Sequence, residues 1–369
     1  MKFISLSSFL SRILSLFLSL SVILIFISAC AQDGTEAVAG PQELETPNQV
    51  YASPPAEINL LSSEYSDWRI SVIGPSDGFS DVFSGDLSDA LSNGISGDLS
   101  DDLSNGFSNK KVWSFNEREL AEALHNLYLQ NNSDPPYPAG SFVHIFSTIN
   151  NWPTERFYVA EGYSVAAVLM AAGLYEIAQR ITFRGLDGYE ITLTREQLLS
   201  PQYFFPYVGE GVYGAQRVYP IIAYLWRDGT DNMDNIREDK PRLIIGQQNP
   251  FEHTNPTFVG QLAEIIVCDK PVERWPIAST FPMPGPVHSG DTINLQHPNF
   301  GLVKLHYTID GTEPTVLSPM FNPSTFQPEL NVPISIYQNT TIKVLVHGYG
   351  RANSEIAVFE FLIADGDLS

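Results

Sequence analysis

From residue 76 to residue 108 serine returns at every fourth position, and that spacing limits what the surrounding chain can be. The units run SDGF, SDVF, SGDL, SDAL, SNGI, SGDL, SDDL and SNGF, closing on Ser108, with seven Asp and no Lys or Arg. A period of four drifts around a 3.6-residue helix, and the Gly, Asn and Asp content weakens helix formation. An extended form puts the serines on one face and Phe79, Phe83, Leu87 and their successors on the other. The pattern is not the glycine-rich nonapeptide of calcium-binding β-rolls, so it reads as a mobile acidic insert rather than a calcium-binding stack. Its flanks say where it is inserted. Trp68 to Gly74 alternates like a strand, and so does Lys111 to Phe115. The spacing predicts a β-hairpin with the repeat at its tip. Loop closure grows only logarithmically with length, so such an insertion costs at most about 2–3 kcal/mol.

The other end of the hydropathy range lies at the N-terminus. Lys2 and Arg12 precede an apolar run, Ile13 to Ile27, of signal-peptide length and too short to span a bilayer comfortably. It ends in Ile27-Ser28-Ala29-Cys30, which resembles the bacterial lipoprotein cleavage box. The resemblance implies that residues 1–29 are removed and that Cys30 carries acyl chains such as palmitate, which hold the protein on a membrane. Residues 30–63 then form a disordered tether, rich in Pro, Gly, Glu and Gln up to about Ala56. The expected location is extracytoplasmic, lipid-anchored to the cell membrane, with partners drawn from cell-wall glycan or surface proteins.

Charge narrows the partners further. With 42 acidic against 20 basic residues and a net charge of −22, the chain repels phosphate backbones, and it has no local basic patch, so nucleic acid is excluded. Two cysteines cannot build a disulfide framework or a Cys-rich zinc site. The histidines show no HxH, HExxH or paired spacing, so no metal ligands are assigned. Pairs such as Glu155 with Glu161 arise by chance in so acidic a chain, and no GxSxG or phosphate loop is present.

Between the hairpin and about residue 270 helix and strand signals alternate. Ser114-Phe-Asn-Glu117 reads as a capping box opening a helix to about Leu129, with Leu120, Leu124 and Leu127 on one face. A second helix begins at Ser164 and closes at Gly173. Strands follow at Ala178 to Arg184 and Tyr189 to Leu193, and Thr194-Arg-Glu-Gln197 is another capping box. Residues 271–285 read as a Pro-rich linker. From Pro286 onward helix signals vanish, and short β-rich runs to about residue 365 predict a small sandwich.

Two resemblances sharpen this reading. His288 to Leu295, Leu305-His-Tyr-Thr-Ile-Asp-Gly-Thr-Glu-Pro-Thr315 and Thr340-Thr-Ile-Lys-Val344, with Ser354 before the last strand, resemble the chitobiase/β-hexosaminidase C-terminal domain. That family implies an accessory Ig/fibronectin-like β-sandwich over 286–365, not a catalytic site. The stretch 64–270, interrupted by the repeat at 76–108, resembles the sulfite-oxidase-type oxidoreductase molybdopterin-binding domain through VWSFNEREL, Tyr158 to Gly173, ITFRGLDGYEITLTREQLL and Pro241 to Gly246. The expected fold is therefore α+β, a molybdopterin-binding-like domain followed by the sandwich.

Catalytic members of that family place a cysteine thiolate on molybdenum, but His144 to Trp152 contains none. Ser147 and Thr148 are the nearest candidates, and a hydroxyl is a far poorer ligand for a soft-leaning centre. Cys268 lies at the domain's last strand and reads as a small buried hydrophobe. The resemblance then implies a non-catalytic module with no cofactor, whose vestigial cleft is lined by Ser147, Thr148, Trp152, Tyr158, Tyr163 and the Gly246-Gln247-Gln248 loop. Two alternatives stay open: a molybdopterin-dependent oxidoreductase with another ligand, and a cell-wall carbohydrate-binding protein. The aromatic patch around Trp152, Phe157, Tyr158 and Tyr163 reads either as core packing or as a platform for a sugar or a small planar molecule.

Overall fold

The computed structural model describes residues 68–75, 110–130 and 141–364, which belong to one compact unit. The expected signal peptide, Cys30, the expected tether and the repeat lie outside the described residues. Among the described residues no helix is long and apolar enough to cross a membrane.

The alternating stretches on either side of the repeat pair as an antiparallel hairpin. Strand β1 (Ile70–Pro75) runs beside β2 (Lys110–Phe115), from Ile70 opposite Phe115 to Pro75 opposite Lys110. Pro75 and Lys110, which flank residues 76–109, are thus cross-strand partners. Alternation buries Ile70 and Val72 completely. Helix α1 (Glu117–Gln130) follows, and its cap is Asn116 rather than Ser114. Asn116 Oδ1 accepts from Glu119 N at 2.9 Å, and Glu119 Oε2 accepts from Asn116 N at 3.0 Å. The reason is that Ser114 is still paired in β2, opposite Ser71, so the box slides two residues along.

Strands β3 (Ser141–Ile149) and β4 (Glu155–Ser164) form a long hairpin that leads into α2 (Val165–Ala171). All of α2 but Met170 is buried, and the chain leaves it through Gly173 at φ +69°, a conformation that favours glycine. Strands β5 (Arg180–Gly185) and β6 (Glu190–Thr194) come next. Thr194 caps α3 (Arg195–Leu199) in the reciprocal box with Gln197 that the sequence signals. The short β7 (Gln202–Phe204) and β8 (Gln216–Val218), then β9 (Ile221–Asp228), β10 (Glu238–Ile244) and β11 (Leu262–Cys268), complete the region. One sheet has the order β2-β1-β11-β5-β6, another β10-β9-β4-β3, and β7 pairs with β8. Their inner faces share one core with α1 and α2, including Phe115, Leu124, Phe146, Leu169 and Phe183.

The expectation of an α+β, molybdopterin-binding-like domain is corrected here: the fold is β-rich. Eighteen strands stand against α-helices of 14, 7 and 5 residues among the described residues. The physical reason is that a capping box marks where a helix begins and says nothing of its length. After Thr194 the helix ends within five residues, because Pro201 disfavours a helical Ser200 and the chain returns to a strand. Cys268 is half-buried rather than buried, with Arg180 Nη2 at 3.5 Å from its Sγ.

The C-terminal region is a two-sheet sandwich. One sheet has β12 (Ser279–Phe281), β14 (Thr292–Gln296) and β16 (Ile334–Ser335) in the order β12-β14-β16. The other has β13 (Gly285–Val287), β15 (Val303–Thr308), β17 (Thr340–Gly348) and β18 (Ala357–Ile363) in the order β13-β18-β17-β15. Leu295, Leu305, Ile342, Val344 and Phe361 fill the space between them, joined by Trp275 and Ala278 from the 271–285 stretch. Gly311, at φ +86°, follows Asp310 in the turn after β15, and Asp310 Oδ1 accepts from Thr312 N at 3.0 Å.

Candidate functional site

The two β-rich regions meet along a seam, and a crevice of about 570 Å³ opens there. Its first wall comes from Tyr189 to Thr192 on and beside β6, from Asn151, and from the turn Asn249 to His253. Its second wall is the outer face of β15 and β17. Alternation explains that face: Val303, Leu305, Val344 and Val346 point into the sandwich core, so Lys304, His306 and His347 point out of it. Lys304 and His347 are direct cross-strand partners. A small-ligand site is an apolar cleft of this size with a few convergent polar groups, and Tyr189, Phe251, Trp275, Leu302 and Phe326 supply the apolar part.

The polar groups are largely withdrawn from water. His253 is 9% exposed and His306 3%. Burial pushes the His253 imidazole down to about 3 and that of His306 to about 4, with the Lys304 ammonium adding to both shifts. Both rings are therefore neutral at neutral pH. Burial also brings Lys304 down to about 8, and its Nζ donates to the carbonyls of Pro323 at 2.9 Å and Asn322 at 3.2 Å. The Glu252 carboxyl is raised above the usual range, first by burial. Tyr349, from the sandwich, places its hydroxyl 3.2 Å from both Glu252 Oε1 and the His253 carbonyl.

Three further contacts fasten the seam. Gln197 of α3 reaches the Gly348–Arg351 turn. Ser324 Oγ donates to the Asn151 carbonyl at 2.6 Å. Trp152 and Phe326, both more than half exposed, stack with ring centroids 5.4 Å apart. An Asx turn aims Trp152 outward: Asn150 Oδ1 accepts from Trp152 N at 2.9 Å and from Thr154 N at 3.0 Å.

None of the eight residues expected to line a cleft lines this crevice. Ser147 and Gln247 are brought together: both are fully buried, and Ser147 Oγ donates to Gln247 Oε1 at 2.6 Å while accepting from Phe205 N at 2.8 Å. Gln247 Nε2 donates to the Glu252 carbonyl at 2.8 Å, so this pair holds up the turn behind the crevice. Thr148, also buried, accepts from Thr254 Oγ1 at 2.7 Å. Gly246 N donates to Gln202 Oε1 at 2.8 Å, and Gln248 N donates to the Glu252 carboxylate. Tyr158 accepts from Asn255 Nδ2 at 3.0 Å and meets Phe258 edge-on. Tyr163 lies apart from these, against Tyr224. Among the described residues no group of three or more His, Cys, Asp or Glu is placed to hold a metal ion.

Sequence reasoning missed Glu252, His253, Lys304, His306, His347 and Tyr349 as a cluster. The one usable signal was Lys304 and His306 at alternate positions of an amphipathic strand whose outer face should otherwise be plainly solvated. A family model described as "Fn3 associated" matches residues 293–361, from β14 to β18, in keeping with the sandwich seen there. It gives no support to the molybdopterin-type resemblance of the preceding region. No curated protein matches the chain.

Proposed function

We propose that this protein is a membrane-tethered, extracytoplasmic binding protein that takes a small ligand in the crevice along its seam. The observation that carries the reading is the crevice itself: it has the volume of a small-molecule site, and His253 Nδ1 on its wall is buried without a partner. Tethering rests on the cleavage box before Cys30, which would place the folded region outside the membrane on a polar leader. The sandwich, with its chitobiase-type motifs, serves as one wall of the site rather than as a separate appendage.

Two measurements test this reading. Cys30→Ala should release the protein from the membrane or block its maturation, and should abolish incorporation of labelled palmitate. A fragment library screened by ligand-observed NMR should give hits that vanish in Gly301→Trp. Gly301 is open at its Cβ position and borders the crevice, so an indole there fills the mouth without strain. Hits that bind Gly301→Trp as well as they bind wild type would remove the crevice as the site.

A further inference from the structure

The tautomers of two crevice histidines, His253 and His306, define what the site lacks. A carbonyl oxygen only accepts hydrogen bonds, so a ring nitrogen beside one carries the proton. His306 Nδ1 lies 3.0 Å from the Ser318 carbonyl, and His347 Nδ1 lies 2.8 Å from Asn353 Oδ1. In the neutral His306 ring Nε2 is left as an unprotonated acceptor. For His253 the protein takes the other nitrogen: the Asn150 backbone accepts from the ring, and Nδ1 is buried with no partner. Two neutral imidazoles on one crevice, His253 and His306, thus each keep one acceptor lone pair, and the protein supplies no donor to His253 Nδ1. Lys304 adds one donor, since two of its three protons are committed to backbone carbonyls.

That inventory disfavours two ligand classes. An anion has only the remaining proton of the Lys304 ammonium to set against acceptor lone pairs and the Glu252 carboxyl; a cation has those lone pairs but sits beside that ammonium, which already disfavours protonation of His253 and His306. A neutral molecule rich in hydroxyls fits both counts, because each hydroxyl donates one proton and also accepts. Tyr189 and Phe326, lining the same crevice, offer apolar faces for the C–H side of a ring. We infer that the crevice binds a neutral polyhydroxylated ligand of the saccharide class, its hydroxyls donating to His253 and His306.

This inference rests on the crevice being a binding site, and its test separates the two claims. The full chain in detergent is titrated by saturation-transfer NMR with three probes: a neutral oligosaccharide such as cellotriose, the anion glucuronate and the cation choline. The expected result is binding of the neutral sugar alone, lost in Gly301→Trp and weakened at least tenfold in His306→Phe. Should His306→Phe fail to fold, Gly301→Trp and the probe series still decide. Glucuronate or choline binding in preference, lost in Gly301→Trp, overturns the saccharide assignment and leaves the crevice as a site. Sugar binding that survives Gly301→Trp places the sugar elsewhere and overturns it too. No binding by neutral mono- and oligosaccharides, when fragment hits do map to the crevice, overturns the ligand class alone.

Discussion

Gln197 uses one side-chain amide to close the first turn of its own helix and to grip Gly350 of the sandwich. Its Oε1 accepts from Thr194 N at 3.0 Å and from Gly350 N at 2.9 Å, while Nε2 donates to the carbonyls of Gly348 at 2.8 Å and Arg351 at 3.1 Å. A local cap and the seam therefore share one residue.

Removing that amide should cost more than a cap alone. Thr194→Ala loses the cap, worth about 1 kcal/mol. Gln197→Ala keeps that cap bond but leaves four backbone groups unpaired, Thr194 N and three in the sandwich, and at about 1 kcal/mol each the loss should reach about 3–4 kcal/mol. Urea unfolding of the two variants checks the order. Equal losses would mean that the sandwich contacts contribute nothing.

His144 should make stability depend on pH. Its ring sits among Phe142, Phe146 and Tyr219, with Nε2 buried and unpartnered, and burial pushes the imidazole down to about 4. Between pH 6.5 and about 4 the unfolded chain takes up a proton that the folded ring refuses. Stability is therefore lost as pH falls through that window and is unaffected above it. His144→Phe should gain about 2 kcal/mol at pH 5 relative to its effect at pH 7.5. Chemical denaturation at both pH values measures the difference, and parallel behaviour of wild type and variant would contradict the assignment.

Gly162 marks where the β4–β9 ladder shifts register. A Cβ there would lie 2.2 Å from the Ile222 carbonyl oxygen and 2.7 Å from Ala223 Cα, both backbone atoms that cannot swing aside. Gly162→Ala should destabilise by about 3 kcal/mol, while Gly301→Ala, in open space, should change almost nothing. Thermal melts of the pair give the comparison directly.

Deleting residues 78–108 leaves Ser76, Asp77 and Asn109 to join Pro75 to Lys110, which are already opposite one another. The shortened protein should unfold cooperatively, with stability within about 2–3 kcal/mol of the parent. Loss of a single cooperative transition would show that the repeat takes part in the fold.

What was legible in the sequence was local. The alternation at Ile70–Gly74 and Lys111–Phe115, the Thr194–Gln197 box, the turn at Asp310-Gly311 and the β-character beyond Pro286 all depend on neighbours within a few positions. The α+β expectation failed because helix-start signals at Ser114 and Thr194 carried no information on length. The crevice was hidden for another reason: Asn151, Tyr189, His253, Lys304 and His347 come from five separate stretches, and no spacing along the chain brings them together. Ser147 and Gln247 were singled out together and do meet, but as a buried brace behind the Glu252 turn.

The seam also bears on how a ligand would arrive. Its two walls are held against each other by Gln197, Ser324 and the Tyr349–Glu252 contact, so they cannot close around a guest as hinged domains do. The pocket is preorganised: its shape is set before encounter, and little chain entropy remains to be lost on binding. Selection would then fall on the guest's own outline, with association in a single kinetic step and no slow closing phase.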